Sequence, residues 1–239
     1  MIQFYSPDIA STLTLPESDS GHCTRVLRLR EGDEIFVVDG AGKRYRCVIT
    51  LAHHKRTTVE IVGVEELPKS WKGEITIAVA PPKNIDRLEW FVEKAVEMGV
   101  DRIVPVRCAR SERKDVRIDR IEKIIVSAMK QSLKGIMPQL SPVTPIADFM
   151  KDAGGEKFVG YCDSNTERRD FARVCPADSD VTVLIGPEGD FTPEEIEMAL
   201  RSGFVPVTFG DERLRTETAA LFAVATIHVI DQLKTPPSP

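Results

Sequence analysis

The chain has 239 residues, 42% hydrophobic and 29% charged, with a formal net charge of −5. That length can bury a good core, read here as two domains, and the acidic balance excludes indiscriminate nucleic-acid coating. No apolar run approaches membrane-spanning length and no basic segment precedes an apolar one at the start, so a soluble cytoplasmic protein without membrane contact is expected. Charge is uneven: residues 83–134 hold 13 Lys/Arg against 9 Asp/Glu, whereas 135–239 hold 9 against 17. A nucleic-acid partner would therefore meet a defined patch. The five cysteines, Cys23, Cys47, Cys108, Cys162 and Cys175, are odd in number, scattered and without ligand spacing. They read as buried free thiols, and no metal site is expected.

In chain order, Glu34–Val38, Tyr45–Leu51 and Thr57–Val64 are short strand-like runs, and Asp39-Gly40-Ala41-Gly42 supplies a hairpin turn between the first two. They predict a small β-barrel ending near Leu67-Pro68-Lys69-Ser70. After Trp71 strands and helices alternate. Ile75–Ala80 is a strand; Leu88, Phe91, Val92, Ala95 and Val96 mark the apolar face of a helix; Ile103–Val106 is a second strand. Ile121, Ile124, Ile125, Ala128 and Met129 mark another helix, ending before Gly135 and Pro138. Ser141–Gly155 reads as a connection with a short helix, followed by strands Phe158–Cys162, Val181–Ile185 and Val205–Phe209. The alternation predicts an open α/β sheet. Ala219–Val229 is apolar almost all round, which fits either a deeply buried helix or half of a subunit interface.

Two loops stand out. The strand ending at Ile185 runs into Gly186-Pro187-Glu188-Gly189-Asp190-Phe191, after which Thr192 can cap a helix with Pro193 at its first position and Glu195 three residues after the cap. The strand ending at Phe209 runs into Gly210-Asp211-Glu212-Arg213-Leu214-Arg215, before a helix that starts near Thr216. Loops at the ends of neighbouring strands in an α/β domain are where a small molecule sits. Neither is a phosphate-binding sequence, and no Gly-x-Gly-x-x-Gly follows an initial strand, which argues against dinucleotides and nucleoside triphosphates.

Ile185–Phe191 and Leu214-Arg-Thr-Glu-Thr-Ala219 resemble the signature loops of the bacterial small-subunit rRNA uridine N3-methyltransferases, the RsmE family, within the wider trefoil-knotted SPOUT class. Supporting matches are His22-Cys-Thr-Arg-Val-Leu27, Lys83, Lys94-Ala-Val-Glu-Met-Gly-Val100, Arg110-Ser-Glu112 and Ala128-Met-Lys-Gln-Ser132 with Pro138. Two positions depart from the family pattern: Asp190 replaces a second glycine, and Lys134 replaces a common arginine. Asp tolerates a left-handed backbone better than most residues, whereas Lys keeps charge but loses the guanidinium fork.

The resemblance implies a PUA-like β-barrel RNA-binding domain over 1–69, a knotted α/β methyltransferase domain over 72–233, and a polar tail over 234–239. It implies S-adenosyl-L-methionine as cofactor, held by Leu184, Ile185, Gly186, Pro187, Glu188, Gly189, Phe209, Gly210, Leu214, Thr216, Thr218 and Ala219. Gly186, Gly189 and Gly210 would let backbone approach the ligand. The implied reaction is methylation of N3 of one uridine in small-subunit (16S) rRNA, within an assembled or partly assembled small subunit, by a homodimer. A related knotted enzyme acting on another position or on ribose O2′ is the alternative. N3 must lose its proton, so charge spreads to O2 and O4. Arg215 is the candidate to stabilise it or to fix a phosphate, unless it is paired with Glu188 or Glu217; Glu217 is a proton acceptor or a residue orienting the helix terminus. Arg25, Arg28, Lys83, Arg87, Lys94, Arg110, Gln131 and Lys134 are the RNA-contact candidates, with Arg113, Lys114 and Arg117 extending the same basic run.

Overall fold

The computed structural model describes residues 2–161 and 168–234, so Cys162 and the tail after Lys234 lie outside the described residues. The chain forms two compact units, Met1–Ser70 with Val126–Met137 and Trp71–Ile125 with Pro138–Pro239.

The first unit is built on a sheet of order β1-β2-β3-β4. Its elements are β1 (Gln3–Tyr5), α1 (Ile9–Thr12), α2 (Glu17–Gly21) continuing into a π-helical turn (His22–Val26), β2 (Glu34–Val38), β3 (Lys43–Leu51) and β4 (Thr58–Glu66). Strands β2, β3 and β4 pair antiparallel, as their alternation predicts, while β1 adds parallel to β2. Ile9, Leu15, Ile35, Val37, Cys47 and Ile49 are fully buried and form its core. The sequence reading contained neither β1 nor the helical segment before β2. It also did not place residues 126–137 here. Backbone bonds from Gly42 to Gly135 (3.1 Å) and from Met137 to Gly40 (2.9 Å) hold that segment against the hairpin. A Lys130–Asp19 ion pair at 2.7 Å and a bond from the Gln3 amide to the Lys134 carbonyl at 3.0 Å add to it.

The second unit is an all-parallel sheet. Its elements are β5 (Ile75–Val79), α3 (Ile85–Met98), β6 (Arg102–Arg107), α4 (Ile118–Gln131, its end joining the first unit), β7 (Gln139–Leu140), β8 (Thr144–Pro145), α5 (Ile146–Asp152) and β9 (Glu156–Gly160). Then follow β10 (Arg169–Asp170), α6 (Phe171–Val174), β11 (Val181–Ile185), α7 (Pro193–Arg201), β12 (Val205–Thr208) and α8 (Thr216–Lys234). Strand order is β10-β12-β9-β11-β5-β6-β7, with β8 also on β6. Every residue of β5 and β11 is buried, which is why both read as near-continuous apolar runs without alternation. The helix starts are legible: Asn84 caps α3, and Thr192 and Glu195 form a complete capping box on α7.

Helix α8 is neither wholly buried nor wholly exposed. Ala220, Ala223, Val224, Ile227 and Ile230 are buried, while Phe222 is 44% and Val229 51% exposed. The helix is fixed in place by His228, whose Nε2 donates to the Gly99 carbonyl at 2.7 Å and whose ring meets Trp71 edge to face at 5.4 Å. Trp71 in turn donates to Asp101 at 2.8 Å. Cys23, Cys47, Cys108 and Cys175 are free and buried, and burial pushes the Cys108 and Cys175 thiols up to about 12. Among the described residues no three metal-ligating side chains cluster, and no helix is long and apolar enough to cross a membrane.

Gly99 ends α3 at φ +118, and an added Cβ would lie 2.7 Å from the Trp71 ring. Gly99→Ala therefore combines backbone strain with overpacking and is expected to destabilise the protein by about 2–4 kcal/mol. Urea unfolding checks this; an unchanged midpoint would show that the turn relaxes freely.

Candidate active site

The carboxyl ends of β9, β11 and β12 open onto a cavity of about 890 Å³. Ile185, Gly186, Pro187 and Glu188 line one side of it, and Phe209, Gly210, Leu214, Arg215, Thr216 and Ala219 the other. Gly160, at the end of β9, sits between the two loops. A Cβ there would lie 2.8 Å from the Phe209 ring and 3.1 Å from Ile185, so this strand end must be glycine for both walls to close in. The loops are fastened to each other by one buried hydrogen bond, from the Thr216 hydroxyl to the Gly186 carbonyl at 3.0 Å.

Three residues expected at the ligand do not line the cavity. Leu184 is fully buried in the sheet, Thr218 is exposed on the first turn of α8, and Gly189 is exposed outside the lining. The glycines also differ in purpose. A Cβ on Gly186 would lie 2.9 Å from the buried Phe191 ring, so packing beneath the loop, before any ligand, excludes a side chain. A Cβ on Gly189 would approach Arg110 Cβ at 3.4 Å. Gly210 has open space but φ +108, so its requirement is conformational. Asp190 adopts φ +60, a left-handed conformation that Asp tolerates better than most residues, and its own Oδ1 accepts from the Phe191 amide at 2.8 Å.

Charge around the cavity is arranged differently from the sequence expectation. Arg215 is exposed on the wall, and its guanidinium makes no hydrogen bond or ion pair among the described residues, so neither Glu188 nor Glu217 neutralises it. Glu188 instead accepts from the Lys83 amide at 3.1 Å. Glu217 is not a cavity residue. Its side chain is 9% exposed, with Oε1 3.7 Å from Arg87 Nε and Oε2 buried without a partner among the described residues. It ties the start of α8 to the start of α3, and its charge suits a helix amino terminus. Of the two roles expected for Glu217, this position fits the one that orients the helix terminus. Sequence reasoning missed Tyr161, Arg168, Val207, Glu212 and Arg213, which also line the cavity. No motif marks them; only their nearness to the two loops in the chain could have pointed to most of them.

The RNA-contact candidates divide. Arg25 and Arg28 are exposed, with no ion pair among the described residues, and Gln131 is exposed. Lys134 is half-buried, and burial holds its ammonium below the usual lysine range. Of the second-unit candidates, Lys114 is exposed without an ion pair among the described residues, and the other six are engaged within the protein. Lys83 pairs with Glu112 at 2.9 Å, which raises its pKa, and Arg87 lies against Glu217. Lys94 bridges Glu93 and Glu97 at 2.7 and 2.8 Å. Arg110 donates to the Gly189 and Phe191 carbonyls, Arg113 to those of Pro82 and Lys83, and Arg117 pairs with Asp119.

Comparison with known proteins agrees along most of the chain. A family described as an RNA methyltransferase domain matches residues 69–228, and one described as an RNA methyltransferase PUA domain matches residues 15–62. Ribosomal RNA small subunit methyltransferase E of Synechocystis sp. is 29% identical over 230 residues, 93% of this chain and 74% of the relative. The crystal structure of a probable rRNA-methyltransferase from Porphyromonas gingivalis is 41% identical, covers 98% of this chain and 100% of that one, and has a TM-score of 0.93. The ribosomal RNA small subunit methyltransferase E from Neisseria gonorrhoeae, solved bound to S-adenosyl methionine, is 29% identical, covers 96% and 98%, and has a TM-score of 0.82. With a PUA-like amino-terminal region and a SPOUT-like catalytic fold, the chain belongs to the RNA methyltransferase domain family, in its RsmE branch.

Proposed function

We propose that this enzyme uses S-adenosyl-L-methionine to methylate N3 of one uridine in small-subunit (16S) rRNA, presented in an assembled or partly assembled small subunit in the cytoplasm. The observation that carries the reading is the cavity between the two loops, fastened by the Thr216–Gly186 bond. Its lining fits the cofactor. Ile185, Val207, Phe209, Leu214 and Ala219 offer an apolar wall to an adenine, and the carboxylates of Glu188, Asp211 and Glu212 complement a sulfonium and an ammonium. When bound, the cofactor supplies an electrophilic methyl group for in-line displacement.

What the protein adds is alignment and charge. Uridine N3 carries a proton at neutral pH, and the imide becomes anionic as that proton leaves. Arg215, on the cavity wall without an ion pair among the described residues, is suited to stabilise the charge on O2 and O4. Arg25 and Arg28 in the PUA-like region are suited to phosphates, which position an RNA without reading its sequence. The enzyme is proposed to work as a homodimer, with the exposed Phe222 and Val229 of α8 in the shared face.

The decisive experiment is methylation of small subunits from cells lacking the modification, followed by nuclease digestion and mass spectrometry. N3-methyluridine in small-subunit rRNA is expected; a methyl group on O2′, or in transfer RNA instead, would overturn the assignment. Arg215→Ala is expected to lower kcat on the order of 10²-fold with the fold intact. Full turnover at saturating RNA would leave Arg215 a ground-state contact only. Thr216→Val strips the Gly186 carbonyl of its buried donor, so cofactor affinity measured by calorimetry should fall roughly tenfold. For the dimer, Val229→Asp should yield monomers in sedimentation equilibrium, and an active wild-type monomer at micromolar concentration would refute it.

A further inference from the structure

The Arg110 guanidinium faces the protein's own backbone. We propose that Arg110 and Glu195 are positioning residues that clamp the 186–191 loop to the turn after β6 and thereby set cofactor affinity, with Arg110 making no required RNA contact. The proposal rests on the reading of the cavity as the S-adenosylmethionine site.

The clamp has a rigid base. In the turn after β6, the Cys108 amide donates to the Ser111 hydroxyl at 3.0 Å, the Ser111 amide donates to the Cys108 carbonyl at 3.2 Å, and both residues are buried. Two complementary charged groups then join this turn to the loop. Arg110 Nη1 donates to the carbonyls of Gly189 at 3.0 Å and Phe191 at 3.1 Å. Glu195 lies buried in the first turn of α7. Its Oε1 accepts from the Ala109 amide at 2.7 Å and its Oε2 from the Thr192 amide at 2.9 Å. One cation holds two loop carbonyls and one anion spans an amide on each segment, so the loop can shift only by breaking charge-assisted bonds.

Neither side chain borders the cavity, so the effect must pass through the loop. The link is Phe191. Its carbonyl is held by Arg110, and its buried ring fills the space where a Gly186 Cβ would be, 2.9 Å away. Gly186 in turn lines the cavity and accepts the Thr216 hydroxyl. Displacing Phe191 therefore displaces the cavity wall. Gly189 also lies against the Arg110 stem, with a built Cβ in ordinary contact at 3.4 Å from Arg110 Cβ. A phosphate-binding arginine needs none of these partners.

The test compares full-length wild type, Arg110→Ala, Arg110→Met, Arg110→Lys and Glu195→Gln. Cofactor binding is measured by calorimetry, methylation kinetics on small subunits, and affinity for a small-subunit rRNA transcript across a salt series. Arg110→Met keeps the stem and removes the donors, which covers the case in which the alanine variant fails to fold. Arg110→Ala and Arg110→Met should weaken S-adenosylmethionine binding at least tenfold and raise its KM while kcat at saturation stays within about threefold, a split that general loss of stability would not produce. Glu195→Gln should weaken binding several-fold, and Arg110→Lys should recover part of the loss. The salt slope of RNA binding should stay at the wild-type value in all four. Wild-type cofactor affinity in Arg110→Met, with a salt slope reduced by about one phosphate contact, would overturn the clamp and restore an RNA role. A wild-type enzyme that binds no S-adenosylmethionine would instead overturn the cavity reading, and the clamp's proposed effect with it.

Discussion

The buried hydrogen bond between Thr216 and Gly186 is the constraint on which the second unit turns. It joins the loop after β11 to the helix after β12, two strands that are not neighbours but flank β9 on either side. Such a bond requires the strand between them to stop short and carry no side chain at its end, which is the position of Gly160. It also requires α8 to be fixed at a distance from the loop, and the His228–Gly99 bond and the Trp71 ring do that some three turns along the helix. A parallel sheet buried on both faces supplies the stiffness, because β5 and β11 cannot slide without unpairing a fully desolvated ladder.

Helical geometry decides which charges reach the cavity. Thr216 and Ala219 are three apart and share a face of α8, and both line the opening. Glu217 is rotated by about 100° from Thr216 and faces α3, where Arg87 meets it. A signature containing both Arg215 and Glu217 does not reveal which is presented to the cavity, because the helix begins between them. Once its first residue is fixed at Thr216, the separation follows.

The same distinction governs what was legible elsewhere. The capping box of Thr192 and Glu195, the apolar runs of β5 and β11 and the two loops are local patterns, and the structure contains each of them. Strand β1 has only three residues and pairs parallel with a strand some 30 residues on, so no local periodicity announces it. The segment 126–137 shares a helix with residues of the second unit yet packs with the first, through backbone bonds to the Gly40–Gly42 turn that no side-chain pattern encodes. Arginines are the least legible. A guanidinium satisfies a carbonyl and a phosphate with the same donors, and only the fold shows that Arg110 and Arg113 have carbonyls within reach.

These assignments shape the proposed chemistry at the proton. Of the carboxylates on the wall, Glu188 is occupied by the Lys83 amide and Asp190 by the Phe191 amide, so both serve the architecture of the loop. Glu217 is withdrawn to α3, and Cys108, the thiol of the neighbouring turn, is kept protonated by burial. Arg213 and Arg215 are exposed on the wall without an ion pair among the described residues, beside the exposed carboxylates of Asp211 and Glu212. A cation beside an imide favours its anionic form and lowers its pKa, which makes the nucleophile without a dedicated base. On the proposed reading, Arg215 would stabilise the deprotonated uracil, and the Asp211 and Glu212 carboxylates at the rim or water would take the proton. That division of labour is physically consistent with an in-line displacement, in which the developing neutral sulfide needs no acid and the protein's main tasks are orientation and charge.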